Sequence, residues 1–291
     1  MIISFASDND TPDVRHIWKE CFGDTDSYMN AFFSSVYKPE QTLVAKIDGT
    51  TVGALQLFPH TFFKDGKTYN SIYIGGVSVL PAYRMQGISK KLMTAAEDHM
   101  QKNKIEISYL VPFSFAFYEK MGYKCISYLS EYSGQISALA PFVLPFEKSS
   151  CNGVSLSVAY HFFAEKFDLY LERNDNRFQN EIFPLCENCS VCSLSNNEGY
   201  LIYEIKNREF MVFEIAYKDE RALRSLLGFI HNNKNVCDFF TIRTAADCVL
   251  RKLLCENTII EKRFPHAMAK TFGELKINDS MQNYINMLGW F

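Results

Sequence analysis

The sequence has no long apolar run, no basic excess and no basic N-terminal segment, and each absence excludes a class of protein. A membrane-spanning helix needs about 20 consecutive apolar residues, and no stretch approaches that length. The net charge is −3, whereas nucleic-acid binders usually carry a basic excess, so we expect no nucleic-acid partner. The first residues also lack the pattern of a signal peptide. We therefore expect a cytoplasmic protein with no membrane partner.

The nine cysteines are odd in number and unevenly spaced, so they do not form a disulfide framework and predict free thiols. One cluster stands out, Cys186-x2-Cys189-x2-Cys192. A zinc or iron–sulfur site would need a fourth ligand at suitable spacing, and Cys237 is too distant. We expect no metal and favour thiols scattered along a polar strand.

The length of 291 residues allows two domains, and an apolar content of 47% predicts a globular chain. Residues 138–152 hold two prolines and a polar end, which indicates a connection between domains. We predict a first domain over residues 1–140 and a second over residues 153–291.

The first half alternates helical and strand patterns. Residues 12–37 predict two helices, and Asp48-Gly49 predicts a hairpin between two strands. Further along, the apolar pattern predicts a long strand over 69–80, a helix over 87–102, a strand over 105–111, a short helix over 113–121 and strand structure over 123–135.

The turn between the long strand and the helix carries candidate binding residues. A strand–turn–helix directs several backbone N–H groups to the positive end of a helix dipole, which suits a pyrophosphate. Gly87, which has no Cβ, permits close approach of phosphate oxygens. The alternative is an ordinary strand-to-helix connection. The turn residues are Arg84, Met85, Gln86, Gly87, Ile88 and Ser89.

Two motifs in order resemble the GCN5-related N-acetyltransferase (GNAT) superfamily. Arg84–Ser89 resembles its acetyl-CoA loop, Arg-x-x-Gly-x-Gly/Ala, except that Ser89 stands at the last position. FYEKMGY, Phe117–Tyr123, resembles its Tyr-x-x-x-Gly-Phe/Tyr signature. The resemblance covers about residues 1–140. It implies an α/β (α+β) acyl-CoA N-acyltransferase fold, in which helices flank a mixed, mostly antiparallel sheet.

The resemblance also implies roles for individual residues. The backbone of Val77, Ser78 and Val79 would pair with the pantetheine arm of acetyl-CoA, and the turn residues would bind its pyrophosphate. Tyr118 would protonate the leaving thiolate as general acid, without a covalent intermediate. The alternatives are core valines, a solvated Arg84 and a structural Tyr118. Many relatives carry Asn where this chain has Val111, which leaves one pantetheine hydrogen bond in doubt.

The general base is less clearly marked. The closest resemblance over the whole chain is to tandem-GNAT enzymes of the enhanced-intracellular-survival (Eis-like) type, which implies that a terminal carboxylate, here that of Phe291, acts as base. His60 is a second candidate, although a lone histidine is more often structural. Glu119 adjoins Tyr118 but should point elsewhere on a helix, into solvent.

The second half repeats the order of meander, helix, strand and helix, without a second Arg-x-x-Gly loop. It resembles a degenerate GNAT-like domain, with a final strand over 264–271. Eis-like enzymes usually carry a third, sterol-carrier-like domain. Because the sequence ends at Phe291, soon after Lys270, we expect that domain to be absent.

These observations predict an acetyl-CoA-dependent N-acetyltransferase (an EC 2.3.1-class acyltransferase) acting on a small-molecule or peptide amine. Three alternatives stay open: a non-catalytic acyl-CoA-binding regulatory module, a tandem-GNAT transferase with an aminoacyl-tRNA donor, and a second half that serves as a platform for a homo-oligomer. The fold cannot select the acceptor.

Overall fold

The computed structural model describes residues 1–146, 155–186, 188–245, 248–254, 259–273, 275–277 and 281–285. The chain divides into two compact units. The first unit is Met1–Lys124 together with the described residues of Ala267–Asn278. The second unit is Cys125–His266 together with the described residues of Asp279–Gly289. No described helix has the length and apolar character that spanning a membrane requires.

Strands and helices alternate along the chain. The helices are α1 Thr11–Phe22, α2 Asp26–Ser35, α3 Ile88–Lys102, α4 Phe115–Glu119, α5 Leu156–Ala164, α6 Asp175–Arg177, α7 Glu220–Asn232 and α8 Cys248–Leu254. The strands are β1 Ile2–Phe5, β2 Thr42–Ile47, β3 Thr50–Lys64, β4 Lys67–Val79, β5 Ile107–Leu110, β6 Lys124–Gln135, β7 Leu169–Leu171, β8 Ser190–Ser193, β9 Gly199–Lys206, β10 Glu209–Tyr217, β11 Phe239–Ala245, β12 Ile260–Thr271 and β13 Asn283–Tyr284.

The two predicted N-terminal helices form, with signals at their ends. Helix α1 has proline in its first turn and ends at Gly23, whose φ of 70° is left-handed. Helix α2 begins after Thr25, whose side chain accepts the Tyr28 N–H at 3.1 Å. These local groups replace the intrahelical partners that helix ends lack.

The sheet of the first unit has the strand order β1-β2-β3-β4-β5-β12. The predicted hairpin turn forms at Asp48 and Gly49, both with positive φ, and Asp65 and Gly66 make a second such turn. Strands β1 to β4 pair antiparallel in succession, and β4 pairs parallel with β5.

Helix α3 packs its apolar face on this sheet. The buried side chains of that face are Ile88, Leu92, Met93, Ala96 and Met100. They form one cluster with strand residues that include Leu55, Leu57, Ile72 and Ile74. Because the helix begins at its buried Ile88, this packing fixes the position of the preceding turn.

Strand β12 runs from the second unit into the first. Met268 pairs with Leu110 and Lys270 with Ser108, so the end of β12 completes the sheet of the first unit. The sequence predicted this strand but placed it in the second half. Strand β6, predicted to end the first half, instead pairs antiparallel with β11. An apolar pattern marks a strand but carries no information on its partner. The domain boundaries, 1–140 and 153–291, stay a prediction.

The second unit has the strand order β12-β6-β11-β10-β9-β8, with β10 parallel to β11. Its hairpin β9–β10 turns at Asn207 and Arg208, both with positive φ, and the predicted helix follows as α7. The order hairpin, helix, parallel strand therefore repeats that of β3, β4, α3 and β5. Both units are mixed sheets with flanking helices, which confirms the predicted fold class.

A buried ion pair lies in the core of the second unit. The Arg173 guanidinium donates to both Glu214 oxygens, at 2.8 and 3.1 Å, and both residues are at most 2% exposed. The Tyr200 hydroxyl also donates to Glu214. A buried charge with several hydrogen-bond partners is tolerated, whereas removal of one partner is costly.

Candidate functional site

Strand β4 continues beyond its parallel neighbour. The parallel register includes Ser71 with Ile107 and Tyr73 with Tyr109, and β5 ends one residue later, at Leu110. Strand β4 extends to Val79, still paired with β3 through Ser78 and Ala54. The last residues of β4 therefore pair with β3 on one side and extend past the end of β5 on the other.

A bulge beside Gly76 redirects this part of β4. The register with β3 shifts between Ala54 and Gln56, which gives β4 one extra residue. Gly76 has a φ of 57°, and a Cβ there would lie 1.9 Å from Gln56 Oε1 and 2.5 Å from the Trp18 ring. Both the backbone angle and the space therefore require glycine.

The backbone of Val79 faces away from β3. Leu80 N–H donates to the Val52 carbonyl at 2.9 Å, which makes Gly53 and Val79 a non-hydrogen-bonded pair of the ladder. The N–H and C=O of Val79 therefore point to the side where β5 has already ended. The Val77 and Val79 side chains belong to the α3 core, so a ligand would meet the backbone alone.

The turn after β4 presents backbone groups to solvent. Residues 84–87 are exposed, Met85 fully, and Met85 and Gly87 have φ values of 64° and 74°. Gly87 is the N-cap of α3, and as a glycine it has no side chain to cap this helix end. Successive N–H groups at such a start, together with the helix dipole, form an anion-binding concavity.

The positive φ explains the glycine at position 87 better than crowding does. A Cβ on Gly87 would meet nothing within 4 Å. The sequence analysis gave a second reason, that a glycine lets a phosphate approach the backbone closely. A bound phosphate would occupy the space into which a Cβ would project. Ile88, which follows, is buried, and Ser89 is half-buried in the first turn of α3.

Arg84 holds the turn against β4. Its Nε donates to the Val79 carbonyl at 3.1 Å, and its Nη2 lies 3.8 Å from Cys21 Sγ. The Cys21 thiol donates to the same carbonyl at 3.4 Å. The sequence did not single out Cys21, because a lone cysteine on a helix carries no signal.

Tyr118 lies on α4 and is 2% exposed. Its ring makes edge-to-face contacts with Phe113, Phe117 and Tyr123, at centroid distances of 5.0 to 5.9 Å. Burial raises the pKa of Tyr118 well above its usual value near 10. The phenol is therefore protonated at neutral pH, as a proton donor must be.

The turn that follows Tyr118 is a Schellman motif, closed by Gly122. Tyr123 N–H donates to the Tyr118 carbonyl at 3.1 Å, and Gly122 N–H donates to the Glu119 carbonyl at 2.9 Å. Gly122 has a φ of 85°. The signature spacing from Tyr118 to Gly122 and Tyr123 thus has a local structural reason. Glu119 is exposed, as the sequence predicted.

Lys270 supports this turn, a role that the sequence did not reveal. Its Nζ donates to the Met121 carbonyl at 2.9 Å and to Glu97 Oε2 at 2.8 Å. The neighbouring Tyr123 hydroxyl and Ser108 Oγ are 2.6 Å apart. Strand β12, helix α3 and strand β5 therefore all brace the segment that carries Tyr118.

Two further groups lie on β3. His60 is buried and its Nδ1 hydrogen-bonds the Tyr109 hydroxyl, which favours the structural alternative over the role of base. Gln56 is 1% exposed, and neither polar atom of its amide has a hydrogen-bond partner among the described residues. Such an amide beside the Gly76 bulge marks a polar spot that sequence analysis missed.

The other candidates have mixed outcomes. Val111 offers its backbone N–H to the Tyr73 phenol, and burial raises the pKa of Tyr73. Phe291, the candidate base, lies outside the described residues. Across the described part of the chain, no three metal-ligating side chains cluster, Cys186, Cys189 and Cys192 included.

The helix start in the second unit differs from that of α3. Asp219 caps α7 with its carboxylate, which accepts the Ala222 N–H at 2.9 Å. A negative side chain there occupies the N–H groups and repels another anion. The repeated β10–α7 connection therefore cannot serve as an anion site like the turn before α3.

Comparison with known proteins decides what this arrangement is. A family model described as an acetyltransferase (GNAT) domain matches residues 3–126, and a second model with the same description matches residues 169–273. The chain belongs to the GNAT acetyltransferases. It carries two GNAT domains in tandem and is an acyltransferase. GNAT acetyltransferases use an acyl-CoA co-substrate and act on small-molecule or peptide acceptors.

Solved GNAT structures share the fold over most of the chain. A probable N-acyltransferase from Enterococcus faecalis V583 matches with a TM-score of 0.79 and 20% identity, over 93% of this chain and 72% of its own. A GCN5-related N-acetyltransferase from Anabaena variabilis ATCC 29413 gives 0.77, with the same identity and coverage. Eis1 from Mycobacterium abscessus gives 0.71 at 13% identity, over 93% and 74%. No curated protein matched the sequence.

Proposed function

We propose that this GNAT protein transfers the acetyl group of acetyl-CoA to an amine of a small molecule or peptide, by direct attack. One observation carries the proposal: the N–H of Val79 faces away from β3, and an exposed helix start at Gly87 follows it. An extended pantetheine arm pairs with backbone as an added strand does, and a pyrophosphate suits the helix start.

Each turn residue then has a distinct part in holding the donor. The N–H groups of Gly87, Ile88 and Ser89 would bind pyrophosphate oxygens, and Met85 and Gln86 would shape the loop through their backbone. Arg84 would keep its Nε on the Val79 carbonyl while its terminal nitrogens face the phosphate. Ser78 pairs with Ala54 of β3, and its hydroxyl donates to the Gly76 carbonyl at 3.0 Å, so its part would be to hold Val79 in register rather than to bind the donor.

Tyr118 is assigned as general acid. The amine nitrogen bonds to the thioester carbon, the C–S bond breaks, and the phenol proton passes to the leaving sulfur. A free thiol has a pKa near 8.5, so its thiolate is less basic than the Tyr118 phenolate. The proton transfer from the phenol must therefore accompany C–S cleavage. The products are the acetylated amine and the CoA thiol, and solvent reprotonates Tyr118.

The amine must also lose a proton, and we assign that role to the carboxylate of Phe291. This assignment rests on the likeness to Eis-type enzymes, and His60 is the weaker candidate because Tyr109 already engages its ring. An extension of a few residues beyond Phe291 would remove the terminal carboxylate from position 291, whereas Phe291→Ala retains a terminal carboxylate at that position. We expect the extension to lower kcat and leave acetyl-CoA affinity unchanged; equal kcat in both variants would exclude the carboxylate as base.

Turnover is tested by thiol release from acetyl-CoA with the full-length protein and a panel of amines. The panel should contain polyamines, aminoglycosides, amino acids and lysine peptides. We expect amine-dependent thiol release, with a product heavier by one acetyl group. Tight binding of acetyl-CoA without turnover on any amine would favour the non-catalytic acyl-CoA-binding module instead.

A further inference from the structure

Cys186 and Cys189 lie at the two ends of one tight turn in the second unit. The turn follows the short helical segment Phe183–Leu185 and leads into β8. Cys189 N–H donates to the Cys186 carbonyl at 3.2 Å. A turn closed by such a bond keeps its first and fourth α-carbons within about 7 Å. A disulfide spans about 4.4–6.8 Å between α-carbons, so this separation suits a bond between the two sulfurs.

The two thiols already interact. Each is half-buried, so a small reagent can reach it, and the two side chains hydrogen-bond each other. That hydrogen bond raises the pKa of Cys186 and lowers the pKa of Cys189. At a given pH, Cys189 is therefore the better source of the thiolate that starts an exchange reaction.

The other described cysteines lack this arrangement. Cys192 is 2% exposed on β8, and Cys237 is fully buried. The Cys125 thiol donates to the Ser127 carbonyl at 3.5 Å, and the Cys21 thiol donates to the Val79 carbonyl. The spacing Cys-x-x-Cys that the sequence showed thus has a geometric counterpart in this one turn.

We propose that Cys186 and Cys189 form a reversible dithiol–disulfide site that reacts with small disulfides such as oxidised glutathione. The Cys189 thiolate attacks one sulfur of the reagent, and one small thiolate leaves. The Cys186 sulfur, after loss of its proton, then attacks Cys189 Sγ and displaces the second small thiol. The protein loses two protons and two electrons, and the reagent is reduced to two thiols.

The test uses the full-length protein in glutathione buffers of increasing oxidised fraction, quenched with acid and an alkylating reagent. We expect intact mass spectrometry to show a loss of two hydrogen atoms and two fewer alkylated thiols. Peptide mapping should link Cys186 to Cys189. Reduction with excess dithiothreitol should restore both alkylation sites.

Variants distinguish the roles of the two sulfurs. Cys186→Ser should retain one glutathione on Cys189, because no second thiol displaces it, whereas Cys189→Ser should react more slowly. Cys125→Ser, which removes a thiol of similar exposure, should behave as the wild type.

Three results would overturn the proposal. The first is a wild-type protein that stays fully reduced in the most oxidising buffer. The second is a disulfide that maps to Cys192 or to another cysteine. The third is a metal ion, detected by elemental analysis, that these thiols hold and that blocks their oxidation.

Discussion

At the scale of one residue, burial keeps the Tyr118 phenol protonated, as the proposed role of general acid requires. Three aromatic rings surround the phenol, and burial raises its pKa, so the proton stays on the oxygen throughout the neutral range. The sequence predicted this residue from its signature spacing alone. The rings of Phe113 and Phe117 and the support from Lys270 were not predictable, because they depend on tertiary packing.

Tyr118→Phe removes the proton and keeps the ring packing. We expect kcat to fall by about 10²–10⁴-fold, the usual contribution of a general acid, with little change in acetyl-CoA affinity or melting temperature. Steady-state thiol release and isothermal titration measure the two effects. Unchanged turnover in this variant would contradict the assignment of Tyr118 as acid.

The buried His266 on β12 leads us to expect that the second unit loses stability in acid. Its Nε2 is buried without a partner among the described residues, and burial, with Arg243 nearby, lowers its pKa to about 4. Because the folded-state pKa lies below the unfolded value of 6.5, the neutral ring contributes stability above pH 6.5 that is lost as pH falls toward 4. The loss is on the order of 3 kcal/mol.

Urea unfolding of the wild type and His266→Gln between pH 4 and 8 checks this expectation. The variant cannot titrate at this position, so its stability should depend less on pH across this window. Parallel pH profiles for the two proteins would show that His266 is not the responsible group.

At the scale of elements, the sequence pattern predicted the helices and turns that depend on interactions between neighbouring residues. The spacing of Leu92, Ala96 and Met100 predicted α3, and the Asp-Gly pair predicted its hairpin. The sequence did not reveal why Gly76 cannot vary: a side chain there would collide with Gln56 and Trp18. Those neighbours are distant in sequence, so no window of residues contains the constraint.

The contrast between α3 and α7 is the reason that we propose a donor site in the first unit and not in the second. Both helices follow a hairpin and precede a strand parallel to it. Gly87 leaves the start of α3 open, whereas Asp219 closes the start of α7 with a carboxylate. The sequence predicted this difference from a missing motif, and the Asp219 cap gives it a physical cause.

Lys270→Met tests whether the brace on the Tyr118 turn matters for chemistry. The change removes both hydrogen bonds of Nζ and leaves Glu97, 19% exposed, without this partner. We expect a loss of about 1–3 kcal/mol in stability and a fall in kcat of about tenfold or more, with acetyl-CoA affinity retained. Thermal unfolding and the split between kcat and KM measure these effects.

Lys218→Met is the matched control. Lys218 makes a similar ion pair with Glu198 at 2.9 Å, at a more exposed position in the second unit. Because surface ion pairs contribute little to stability, we expect that variant to lose little stability and to keep its full activity. Equal kcat in the two variants would contradict a positioning role for Lys270.

At the scale of the whole molecule, the path of β12 determines what can fold alone. Residues Ala267–Thr271 complete the sheet of the first unit beside β5, although they follow the second unit in sequence. Sequence analysis identified two GNAT-like halves correctly. It could not assign β6 and β12 to their sheets, because strand partners depend on the whole topology.

A fragment of residues 1–140 should therefore not work as an isolated catalytic domain. It lacks β12, which leaves β5 as an unpaired edge and removes Lys270 from the Tyr118 turn. We expect an aggregating or poorly folded fragment without turnover, judged by size-exclusion chromatography and thiol release. A soluble and fully active fragment would contradict this account of β12.

The donor site is the central claim, and titration of the full-length protein with acetyl-CoA tests it most directly. Gly87→Glu is the blocking variant, and Gly66→Glu is the control, since both glycines have a φ of 74° and open space for a Cβ. We predict micromolar binding by the wild type and by Gly66→Glu, and none by Gly87→Glu. Absent binding by the intact protein, or equal binding by both variants, would contradict a donor site at the start of α3.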